Sequence, residues 1–61
     1  MKGLIKLAMY KDDKYGLISE FVNDNGNILF AYTKEFNNKF IYMLVSKEIN
    51  DDLTKKYLSN D

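Results

Sequence analysis

With no His and no Cys in the chain, the usual route left to acid-base chemistry is a pair of carboxylates. Glu20 and Glu35 are the pair to examine, because each lies in or beside an apolar run that reads as a strand, and two-residue turns would put both on one sheet face. That register sets residue 35 opposite residue 16, so the two carboxylates stand roughly 13 Å apart at about 3.3 Å per residue. Glycosidase pairs work at about 5 to 9.5 Å. Glu20 and Glu35 therefore read as charges at sheet margins or at an interface. Asp12-Asp13 reads as a turn, and Asp51-Asp52 as acidic residues near the start of a helix.

Other chemistries fail on the same inventory. Missing Cys and His remove the usual zinc, iron-sulfur and haem ligand sets, the thiol nucleophile, the imidazole base and the disulfide. The stretch Asn23-Asp24-Asn25-Gly26-Asn27 invites comparison with a calcium loop. Aligning Gly26 with that loop's glycine puts Phe21 at the first ligand position and Tyr32 where the bidentate Glu belongs. A hairpin turn is the better reading. Gly3, Gly16 and Gly26 are too far apart for a phosphate loop. The expectation is a non-enzymatic protein without a cofactor or metal.

Aromatic residues supply the one binding alternative. Tyr10, Phe30, Tyr32, Phe40 and Tyr42, flanked by Lys6 and Lys34, are the ingredients of a weak single-stranded nucleic-acid platform. Nine basic and nine acidic residues cancel to a formal net charge of zero, however, and all nine bases are Lys. Cancellation is also local, as in Lys11-Asp12-Asp13-Lys14 and Lys34-Glu35, whereas affinity for nucleic acid rests on a surplus of base. Nucleic acid is therefore not the expected partner. A membrane partner is not expected either, since no window of about 18 apolar residues occurs and the tail is charge-balanced. Met1 to Lys6 lacks the apolar stretch of a signal peptide, which reads as a cytoplasmic chain.

These side chains need elements to position them, and the 61 residues read as a single small domain over 1–61. Apolar, β-branched and aromatic runs predict strands at about 4–10, 16–22, 28–34 and 40–45, separated by Lys, Asp and Asn. From Ser46 the period changes: Ile49, Leu53 and Tyr57 recur every fourth residue and predict a helix at about 47–58. Ser46 can cap it, with Asn50 as a later alternative, and Lys55 and Lys56 suit its C-terminal end. The fold class is α+β, a four-stranded antiparallel meander (ββββα) with one C-terminal helix. The alternative is a small SH3-like β-barrel carrying that helix.

Treating Asn25-Gly26 and Asn37-Asn38 as two-residue hairpins pairs Val22 with Leu29, Phe21 with Phe30 and Glu20 with Ala31. It also pairs Thr33 with Tyr42 and Ala31 with Leu44. Ile18, Glu20, Leu29, Glu35, Phe40, Tyr42 and Leu44 then share one face, and Phe30, Tyr32, Met43 and Val45 share the other. Both faces are apolar, and one short helix covers only one of them. Exposed apolar surface of this kind marks interaction sites. The function expected is a protein-protein interaction module acting through that sheet face, with another protein or a second copy as partner and a homodimer favoured. An AT-rich composition, with Lys, Asn, Ile, Tyr and Phe filling 30 of 61 positions, suits a regulator or inhibitor from a phage or mobile element.

Overall fold

Three turns set the sheet. The computed structural model describes residues 3–59. Strands β1 (Leu4–Asp12), β2 (Gly16–Asn23), β3 (Ile28–Phe36) and β4 (Lys39–Leu44) pair antiparallel in that order, and helix α1 spans Lys47–Leu58. Between β1 and β2, Oδ2 of Asp12 accepts the backbone N–H of Lys14 at 2.9 Å and of Tyr15 at 3.0 Å. Between β3 and β4, Asn37 and Asn38 both take positive φ, 51° and 63°, as a two-residue type I′ hairpin requires. Phe36 then faces Lys39, Thr33 faces Tyr42 and Ala31 faces Leu44, the pairing expected from the sequence.

The β2–β3 turn differs from that expectation by one residue. The Gly26 N–H donates to the Asn23 carbonyl at 3.0 Å and the Asn23 N–H donates to the Asn27 carbonyl at 3.0 Å. Asn23 and Asn27 thus close a three-residue loop in which Gly26 alone has positive φ, 82°. The Asn23 side chain holds it, its Oδ1 accepting the N–H groups of Asn25 and Asn27 at 2.9 Å each. Val22 accordingly faces Ile28, Phe21 faces Leu29 and Glu20 faces Phe30. Side chains alternate with period two, so the one-residue slip exchanges the faces of β2 relative to β3 and β4.

One face now carries Tyr10, Ile18, Glu20, Phe30, Tyr32, Ile41 and Met43; the other carries Lys6, Ser19, Phe21, Leu29, Ala31, Thr33, Phe40, Tyr42 and Leu44. Helix α1 covers the first. The Ser46 hydroxyl accepts the Ile49 N–H at the helix start, and Leu53 meets Ile18 and Phe30 with all three at 0 % exposure. Ile49, Tyr57 and also Leu58 flank that centre, so the apolar stripe is wider than the fourth-residue repeat alone implies. Burying each of the three central side chains contributes roughly 1.5–3 kcal/mol.

The second face is not bare, which corrects the expectation that it is simply left over. Its middle is closed by the curl of the sheet: Ser19, Phe21, Ala31 and Thr33 are buried. The outer strands lean toward each other, and the Lys6 ammonium of β1 donates to the Tyr42 hydroxyl of β4 at 3.1 Å. The same Nζ lies 4.6 Å from the Phe40 ring centre and 5.3 Å from that of Tyr42. Even so, β1 and β4 do not pair, and the sheet stays open rather than closing into a barrel.

Candidate interaction surface

The seven residues read from sequence as an interaction face divide between the two sides of the sheet. Leu29, Glu35, Phe40, Tyr42 and Leu44 share one face, the one without the helix. Ile18 lies in the helix-covered core, and Glu20, 5 % exposed, accepts the Tyr10 hydroxyl at 2.6 Å. The β2–β3 register moves both. Glu20 and Glu35 consequently stand on opposite faces and cannot act on one substrate as an acid-base pair.

The polar groups beneath the helix serve its attachment. Asp12 is 4 % exposed, and its Oδ1 accepts the Lys56 ammonium at 2.6 Å together with the Tyr57 hydroxyl, while Oδ2 holds the β1–β2 turn. Hydrogen bonds from Lys56, then Tyr57, then the two backbone donors hold its carboxyl well below the usual carboxylate range, against the effect of burial. The same contacts raise Lys56 and Tyr57 above their ordinary values, the hydrogen bond to Asp12 being the main cause in each. Tyr10 stacks on Tyr57 with ring centres 4.1 Å apart, and its hydroxyl is pushed up to about 12, first by the hydrogen bond to Glu20 and then by burial. Among the described residues no buried side-chain polar atom lacks a partner.

Exposed apolar side chains lie on both outer strands, Ile5 and Leu7 on β1 at 67 % and 52 %, and are most numerous on β4. Phe40, Ile41, Met43 and Leu44 are 45–68 % exposed, with Phe36 beside them at the end of β3. Phe40 and Leu44 point to one side of the strand, Ile41 and Met43 to the other, where a shallow groove of about 350 Å³ runs along Tyr32, Lys34, Ile41 and Met43. Ile41 and Met43 are additions to the residues read as the face. Their signal is the unbroken apolar run Phe40–Val45, which marks a strand apolar on both sides.

The five aromatics of the nucleic-acid alternative do not form one platform. Tyr10, Phe30 and Tyr32 lie on the helix side, and Phe40 and Tyr42 on the other. Tyr42 also meets the Phe21 ring edge-on at 5.1 Å, and Lys6 sits over both Tyr42 and Phe40.

Among the described residues no group of three or more His, Cys, Asp or Glu could hold a metal ion, and no helix is long and apolar enough to cross a membrane. What the geometry defines is an α+β protein with an antiparallel meander, one covering helix and an apolar outer strand. No family model, curated protein or solved structure matches the chain.

Proposed function

We propose that this chain is a non-enzymatic protein-protein interaction module that works through β4. The observation carrying the reading is an edge strand whose side chains are large, apolar and exposed on both sides, with no charge from Phe40 to Val45. Contiguous apolar surface of this kind is where soluble proteins meet partners. Acid-base catalysis has little support: Asp12 is saturated by four donors, and Glu20 and Glu35 stand on opposite faces. The AT-rich composition without Cys suits a cytoplasmic regulator or inhibitor carried by a phage or mobile element.

The test is light scattering with an apolar-surface dye, on the wild type and on an Ile41→Lys, Met43→Lys double variant. Both side chains are largely exposed, so the fold should survive, surface changes usually staying within about 0.5 kcal/mol. Self-association or dye binding by the wild type, lost in the variant, supports the reading. A wild type that is monomeric and binds no dye overturns it.

A further inference from the structure

We infer that β4 pairs antiparallel with β4 of a second copy, about a two-fold axis through Tyr42, to make a continuous eight-stranded sheet. This rests on the interaction reading above and names its partner and register.

The backbone shows which groups are free. The Val45 N–H donates to the Phe30 carbonyl at 3.1 Å. Hydrogen-bonding direction alternates along an antiparallel strand, so Val45, Met43 and Ile41 turn their polar backbone toward β3. Phe40, Tyr42 and Leu44 turn theirs outward, where the sheet supplies no further strand.

The two edges of the sheet differ in kind. Natural edges are blunted by bulges, charged residues or Pro. Strand β1 also exposes Ile5 and Leu7, but it has a bulge between Lys6 and Ala8 and carries Lys6 and Lys11 along its length. In β4 the pairing is regular and the one charge is Lys39, at its start. The sequence protects one edge against pairing and leaves the other open.

A second copy fits that open edge. With the axis at Tyr42, Tyr42 meets Tyr42, Phe40 of each copy faces Leu44 of the other, and Ile41 faces Met43. All are apolar or aromatic pairs of the stabilising kind. Lys39 falls opposite Val45, so no like charges meet across the strands. Lys6 holds the Tyr42 hydroxyl inward over the concave face, away from the axis. A net charge of zero gives two copies no general repulsion.

Cross-linking of introduced cysteines tests the register without background, since the chain has none of its own. Ile41→Cys and Met43→Cys are prepared separately, mixed and oxidised, with sedimentation velocity on the unmodified protein alongside. Directly opposite residues in such a pair have Cα atoms about 4.5 Å apart, within disulfide range, whereas diagonal neighbours stand about 7–8 Å apart. The expected result is a dimer that cross-links strongly in the mixture and weakly in either variant alone. A dimer that cross-links instead through Lys11→Cys on β1, or equally in the separate variants, overturns this pairing and leaves the interaction reading standing. A protein that sediments as a monomer at its highest soluble concentration overturns the pairing. If it also binds no apolar-surface dye, the interaction reading falls with it.

Discussion

Asn50 continues the β4 side of the ladder for Phe30. Its Oδ1 accepts the Phe30 N–H at 2.7 Å and its Nδ2 donates to the Ile28 carbonyl at 3.1 Å, at the point where the chain leaves β4 to enter α1. One carboxamide thereby satisfies two backbone groups of β3 that the shorter β4 does not reach, and fixes the helix to the sheet. Asn50→Ala strands both. A buried donor left without a partner costs about 1–3 kcal/mol. Urea unfolding should show a loss of that size with the slope unchanged, and Asn50→Asp, which keeps the acceptor but not the donor, should recover little of it.

Asp12 predicts an acid limit. Its folded pKa is depressed, so its contribution is present above the unfolded carboxylate value of about 4 and is lost as pH falls below it. Tyr10, at about 12 when folded against 10.0 unfolded, works the other way: its contribution is present below pH 10 and is lost as pH rises toward 12. Raised Lys56 and Tyr57 add to the alkaline loss. The urea midpoint against pH should show a plateau bounded on both sides. Asp12→Asn should lower the plateau and flatten its acid side, and Tyr10→Phe should flatten the alkaline side. An unchanged acid side in Asp12→Asn would show that Asp12 does not set it.

Gly26 should be the costly position of the β2–β3 loop. Nothing lies within 4 Å of where its Cβ would stand, so Gly26→Ala meets only the backbone penalty of φ 82°, about 1–2 kcal/mol. Asn tolerates that conformation, and Gly26→Asn should cost visibly less in the same unfolding measurement. Equal losses would mean that the loop's conformation is not what the glycine supplies.

That loop is also where local sequence pattern ceases to specify the register. The element order and the β3–β4 register were legible because strands alternate with polar turns, and Asn37-Asn38 has only one hairpin solution that fits its neighbours. Asn-Gly is the best pair for a type I′ turn, yet Asn23 captures Asn25 and Asn27 through its side chain and lengthens the loop by one residue. The extra residue turns every β2 side chain over and takes Ile18 and Glu20 off the candidate face. The bulge between Lys6 and Ala8 rephases β1 in the same way, without a Gly or Pro at the bulge to announce it. Asp12 reaching Lys56 and Asn50 reaching Phe30 join residues far apart in the chain, and no local pattern carries such contacts.

Ser19 and Thr33 offer a test of the face the helix does not cover. Their hydroxyls lie 2.6 Å apart in a buried setting, and Thr33 also donates to the Ala31 carbonyl at 3.2 Å. With the Thr33 hydrogen spent on Ala31, Ser19 must be the donor between the two. The roles are then unequal. Ser19→Ala leaves Thr33 still donating and should cost little beyond a small cavity. Thr33→Val keeps the shape of the side chain but leaves the Ser19 hydroxyl buried without its acceptor, a loss of about 1–3 kcal/mol. The double variant removes both hydroxyls and should be more stable than Thr33→Val alone, so a double-mutant cycle in urea should show strong coupling. Equal single losses that simply add would mean that the two hydroxyls do not depend on each other, and that the curl of the sheet over them does not exclude water.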